Sequence, residues 1–328
     1  MKLAVFLLRT LAALTVGPAF AQEAAPLRLA QSIPLPDVEG RIDHLAVDIT
    51  GQRLFVAALG NNSVEAVDLR SGTCVRSLTG FHEPQGVAFV QNLGKLFVSN
   101  GGTGAVNSFV GENLEPLRAV KFSGDADNVR YDAAGQLYVG YGDGALGIVD
   151  ARDGKQVGAV KLAAHPESFQ LETAGARIFV NVPNANQIAV VDRATRRVVT
   201  TWALPGARAN FPMDLDEADH RLFVGLRRPA QLMVFDTESG KVVTSLDCAG
   251  DADDLFYDRE RKRIYLSGGD GFLDVFAQRD ADHYVLNTKL PTAAGARTSL
   301  WVRPMRRLYL AVPHRGAQGA EVRGYDVL

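Results

Sequence analysis

A short run with a polar residue followed by aliphatic, aromatic and aliphatic side chains recurs seven times along the chain, at intervals of roughly 40 residues. It reads Arg53-Leu54-Phe55-Val56, Lys95-Leu96-Phe97-Val98, Gln136-Leu137-Tyr138-Val139 and Arg177-Ile178-Phe179-Val180, then Arg221-Leu222-Phe223-Val224, Arg263-Ile264-Tyr265-Leu266 and Arg307-Leu308-Tyr309-Leu310. An unbroken apolar run this short predicts a strand buried on both faces. Ahead of each run, apolar residues alternate with period two, as in Leu45/Val47, Val129/Tyr131 and Leu255/Tyr257, which predicts a further strand packed between layers. Behind it, Asp-initiated turns such as Asp150 to Lys155 and Asp236 to Lys241 join two more strands, with Asp bonding its own backbone and Gly free to take positive φ. In the first repeat the four strands are expected at 44–48, 53–58, 63–68 and 73–78. Four short strands per repeat and seven repeats predict an all-β, seven-bladed β-propeller with four-stranded antiparallel blades.

The seventh repeat is one strand short, ending after Glu321 to Val327. The segment Leu27 to Pro36 has the pattern of an outermost strand and is expected to close the last blade, which removes the open sheet edges of the ring.

The Leu-Phe-Val-type strand, the exits Gly60-Asn61-Asn62-Ser63 and Asn184-Ala185-Asn186, and the Asp-x-x-Ser/Thr-Gly-Lys turns together resemble the YVTN-type seven-bladed propellers of exported bacterial proteins. The resemblance spans residues 27–328 and implies the fold; the family it points to hosts lactonase-like enzymes and binding proteins alike. The Gly-His…Trp-Asp signature of WD40 blades is absent, as is the repeated Trp motif of quinoprotein dehydrogenases, since the chain holds only Trp202 and Trp301.

Lys2, the apolar stretch Leu3 to Val16 and the small-x-small site Ala19-Phe20-Ala21 predict a secretory signal peptide at 1–21 rather than a spanning helix. A single propeller domain is then expected at 22–328, soluble, monomeric, and periplasmic or secreted. Without Lys2 and Arg9, 33 bases stand against 37 acids, a formal charge of −4. That balance, with no basic stripe, argues against nucleic acid as a partner. Cys74 and Cys248 fall in the outer strands of the first and fifth repeats, too far apart on a ring for a disulfide.

A propeller gathers the starts of its first strands, and the loops between its second and third strands, around a central mouth. Asp43, His44, Gln85, Asn128, Glu167, Arg227, Arg228, His314 and Arg315 are the expected ligand-binding residues, and Asp127, Asp253 and Asp254 the expected ligands of one divalent metal ion. Carboxylates and imidazoles suit a hard or borderline cation, and arginines a carboxylate or phosphate. Asp125 and Asp251 are read as turn residues that accept backbone N–H groups, His165 as a surface turn residue, and Cys248 as an inert thiol. The leading expectation is an exported propeller that binds a small polar or anionic ligand, a metal, or a periplasmic protein. The alternative is a metal-assisted lactonase or ester hydrolase with His44 as general base. The gluconolactonase/senescence-marker family holds its metal with Glu, Asn and Asp, and Asn128, Asp253 and Asp254 match that set in type; the first blade carries Asp43-His44 in place of the Glu, and that family has six repeats. No nucleophile elbow, zinc-protease helix or phosphate loop is present.

Overall fold

The computed structural model describes residues 25–328, so the predicted signal peptide at 1–21 lies outside the described residues. The chain folds into 28 strands in seven four-stranded antiparallel sheets. These are the blades of a seven-bladed β-propeller. Blade 1 comprises β2 (Leu45–Asp48), β3 (Arg53–Ala58), β4 (Ser63–Asp68) and β5 (Thr73–Leu78), matching the expected layout. Each later blade repeats that order from the channel outward, and the described helix amounts to four single 3₁₀ turns. β1 (Leu27–Pro34) pairs antiparallel with β28 (Glu321–Val327) and completes the seventh blade. No helix among the described residues is long and apolar enough to cross a membrane.

The recurring tetrapeptide persists because it serves two interfaces at once. In β3, Leu54 and Val56 face the seventh blade, in a cluster with Tyr309, Ala311 and Val322. Phe55 points to the opposite face and packs with Val87, Leu96 and Val98 of the second blade. The same division holds around the ring, and seven apolar clusters fill the seven blade-to-blade interfaces. The seven aromatics of the motif are no more than 2% exposed, so truncating one would cost about 3–5 kcal/mol.

Every outermost strand carries a β-bulge. In four blades the residue left out of register is a large exposed hydrophobe, namely Val75, Leu117, Val157 and Val199. A bulge interrupts the row of unpaired backbone groups that would otherwise recruit another strand. Cys74 and Cys248 are both free thiols, as their separation on the ring requires.

Candidate functional site

The innermost strands of all blades run in the same direction along the central channel, and each places one residue at its mouth. Asp43, Gln85, Asp127, Glu167, Phe211, Asp253 and Arg297 line a cavity of about 170 Å³ there. Four of these seven are carboxylates. The backbone that presents them is irregular in a regular way. In blades 2, 3, 5 and 6 the register shifts at the mouth residue. Two residues ahead of it stands Glu83, Asp125, Ala209 or Asp251, each with φ between 36° and 62°. Bulges beside a site re-aim a side chain, and here they turn one residue per blade inward. The twin Gly-Asp-Ala-Asp sequences are therefore turn chemistry at their first Asp and mouth lining at their second.

Side chains of the neighbouring blade hold this ring in place. The Ser99 hydroxyl donates to the Asp127 carbonyl while accepting from Gly86 N–H at 2.8 Å. Asn181 Nδ2 donates to the Phe211 carbonyl at 2.9 Å, and the Ser267 hydroxyl to the Arg297 carbonyl at 2.8 Å. These three occupy one column, the position just after the apolar tetrapeptide, where the blades read Ala57, Ser99, Gly140, Asn181, Gly225, Ser267 and Ala311. Of the three, the sequence pattern places only Asn181 near the mouth, in the exit from its second strand. The alternation of small and hydrogen-bonding residues in that column was the available signal.

The mouth is electrically divided. On one side, Asp253 is gripped by Arg227 at 2.6 Å and by Arg297 at 3.0 Å. Asp251 is held by Arg297 at 2.9 Å and by Arg227 at 3.3 Å, and the Arg227 guanidinium lies 3.6 Å from the centre of the Phe211 ring. Burial pushes the Asp253 carboxyl up, the two guanidiniums oppose it, and the result is about 6. On the other side, Asp127, His165 and Glu167 each offer a ligand atom within 4.8 Å of the others. His165 Nδ1 lies 2.7 Å from the Gly142 carbonyl, and its Nε2 lies 3.8 Å from the Asp127 carboxylate. Burial works against its charge, but Asp127, the Gly142 carbonyl and Asp125 outweigh it and lift the imidazole to about 9. Burial, then Asp127 and Asp253, raise Glu167 well above the usual carboxylate range.

His44 forms the floor. Its Nδ1 lies 3.4 Å from the Asp254 carboxylate, and its Nε2 lies 3.8 Å from Asp43, whose carboxylate also takes a bond from Arg41 at 2.6 Å. Burial disfavours the imidazolium, yet the attraction and hydrogen bond of Asp254, reinforced by Asp43 and Asp127, raise it to about 10. Such an imidazolium has no lone pair to accept a proton.

Of the expected ligand residues, the structure gathers Asp43, His44, Gln85, Glu167 and Arg227 at the mouth. Asn128 is 2% exposed and buried behind Asp127. Arg228 and Arg315 are exposed outside it, and His314 pairs with Glu39 at 2.8 Å on the rim. Of the expected metal set, Asp127 keeps its place, Asp253 is committed to arginines, and Asp254 to His44 and the Ser299 N–H. His165 is a mouth residue rather than a surface one. Asp125 and Asp251 accept from Gln85 and from arginines rather than from backbone N–H groups. Cys248 is a half-buried free thiol; burial pushes it up to about 12, which disfavours the thiolate form.

No family model and no curated protein matches the chain. Solved structures do match: 1767 chains are similar, a breadth that points to a widely shared fold rather than to one activity. Among them, Kuenenia stuttgartiensis hydrazine synthase superposes with a TM-score of 0.73 at 15% identity, over 85% of this chain and 93% of that one. A chain of a mitotic checkpoint complex gives a TM-score of 0.77 at 15% identity, over 98% of this chain and 99% of that one. At such identity the likeness is one of fold.

Proposed function

We propose that the protein is an exported binding propeller whose mouth takes a divalent cation, alone or bridging a small polar ligand, on Asp127, His165 and Glu167. The convergence of those three ligand atoms within 4.8 Å carries this reading. Two carboxylates and an imidazole suit a borderline cation, which on binding displaces the protons that His165 and Glu167 otherwise hold, and three protein ligands leave coordination positions for a bound molecule. The Gly142 carbonyl facing Nδ1 is the kind of outer contact that turns the other ring nitrogen toward a metal. The cavity of about 170 Å³ is smaller than the ~300 Å³ at which drug-sized sites begin, which favours an ion with a ligand of a few atoms.

Binding is preferred to ester hydrolysis because His44, the candidate base, is held as an imidazolium between Asp254 and Asp43. The small-x-small site at Ala19-Phe20-Ala21 supports export, and mass spectrometry of the protein from its native host should find a chain beginning at Gln22.

The decisive experiment treats the purified protein with a chelator and then titrates Mn²⁺, Zn²⁺ and Ca²⁺ while following thermal unfolding. One of these ions should raise Tm saturably, since a ligand specific to the folded state stabilises it by mass action. Glu167→Gln combined with His165→Gln should abolish the effect, and Asp253→Asn should leave it in place. No saturable shift with any of the three ions, or a shift that survives the double variant, overturns the proposal.

A further inference from the structure

Below the His44 floor the channel widens into a second chamber of about 390 Å³. We propose that this chamber binds a small monocarboxylate with an apolar body, its carboxylate seated on Arg130.

The chamber is built by one residue per blade, each paired with the aromatic of the recurring tetrapeptide. Ala46 faces Phe55, Ala88 faces Phe97, Phe256 faces Tyr265 and Leu300 faces Tyr309. These supply apolar wall. In the third blade the same position is Arg130, opposite Tyr138. Its guanidinium makes one hydrogen bond, to the Val129 carbonyl at 3.0 Å, and lies 5.8 Å from the Phe169 ring.

Arg130 differs in this from the arginines of the mouth. Arg41, Arg227 and Arg297 each pair with a carboxylate within 3.0 Å. Arg130 has no carboxylate within 4.0 Å among the described residues. Asp214, in the fifth blade, also lines the chamber but is turned to the backbone, accepting the N–H groups of Leu215 at 2.8 Å and Tyr257 at 2.6 Å. Arg130 is half-buried and feels Asp254, Asp214 and Asp127 at a distance, but none of them bonds it, so its burial carries a penalty that is only partly compensated. An incoming carboxylate would offset it through two parallel charge-assisted bonds.

The walls choose the class of anion. Phe256, Leu300 and the two alanines would cover an aliphatic or aromatic body, and Gln170, at the same position in the fourth blade, gives its amide to the Met213 carbonyl at 3.0 Å, so the lining has little to offer a phosphate's remaining oxygens. Asp214 and Asp254 lie close enough to disfavour a dianion. The volume of about 390 Å³ falls within the range of small-molecule sites, ~300–1,000 Å³, which the mouth does not reach. This site is independent of the cation site above.

The test uses benzoate and butyrate as probes, with inorganic phosphate for comparison, on the intact mature protein. Benzoate should raise Tm saturably and phosphate should not. Arg130→Met should weaken benzoate about tenfold or more, Arg130→Lys less, and the mouth variant Glu167→Gln should bind it unchanged. Intermolecular NOEs from the benzoate ring to the Leu300 and Val87 methyls should place it in the chamber without any substitution, so the outcome stands even if Arg130→Met does not fold. No saturable benzoate binding, absence of those NOEs, or a phosphate effect equal to that of benzoate overturns the proposal.

Discussion

His44 Nδ1 lies 3.4 Å from the Asp254 carboxylate, so a first-blade residue reaches past the seventh blade to one in the sixth. The Ser299 N–H of the seventh blade donates to the same carboxylate at 2.8 Å. One carboxylate thus ties three blades together at the waist of the channel, while β1 closes the seventh blade at its outer edge.

That relationship makes stability depend on alkaline pH. The His44 imidazole is raised from 6.5 to about 10 in the folded protein. The folded state therefore keeps a proton that the unfolded chain has lost across that window. The contribution is complete below pH 6.5 and disappears as pH rises toward 10, up to about 5 kcal/mol in all. Denaturant titrations at pH 6, 8 and 10 should show this decline, and His44→Gln should reduce it, leaving the smaller decline that His165, lifted to about 9, contributes. Equal declines in both proteins would mean that the ion pair contributes nothing.

Removing the carboxylate should be worse than removing the imidazole. Asp254→Ala leaves a buried imidazolium and an unpaired Ser299 N–H, a loss of about 3–5 kcal/mol. Combining His44→Gln with Asp254→Asn should recover part of that loss, and a double-mutant cycle measures the coupling.

Gly86 is required by proximity. A Cβ there would sit 2.3 Å from the Asp127 carbonyl oxygen and 2.7 Å from the Ser99 hydroxyl, the pair that positions a mouth residue. Gly86→Ala should cost about 2 kcal/mol or more and weaken cation binding at the mouth. Unchanged stability and unchanged affinity would show that the ring tolerates the displacement.

Ala209 is the one non-polar residue among the left-handed positions ahead of the mouth, with φ at 62°. A left-handed alanine costs about 1–2 kcal/mol. Ala209→Gly should therefore raise stability by up to about 1 kcal/mol, after its larger unfolded-state entropy is counted, as a higher urea midpoint with an unchanged m-value.

Deleting residues 25–34 removes β1 and uncovers β28, which otherwise pairs with it from Leu27↔Val327 to Pro34↔Glu321. The truncated protein should oligomerise or aggregate through that edge, as size-exclusion chromatography would show. A monomer of native Tm would mean that the closing strand is dispensable.

The amino-acid sequence by itself determined the blades, their number and the closing strand, down to the bounds of the first repeat's outer three strands. It could do so because each tetrapeptide feeds two interfaces with fixed periodicity, so its pattern is imposed by packing at every turn of the ring. The mouth was legible in part: Asp43, His44, Gln85, Asp127 and Glu167 stand at the starts of first strands as expected, and Arg227 reaches the mouth from the end of its blade's second strand rather than from the loop beyond it. Which of two adjacent residues faces the channel was decided by bulges, which local patterning does not announce. Tertiary structure alone decided that Arg227 spends its charge on Asp253, that His165 meets Asp127 and Glu167, and that Arg130 stands unpaired below. Those are contacts between blades, and the charge state and free valence of a side chain depend on which neighbour from another blade reaches it first.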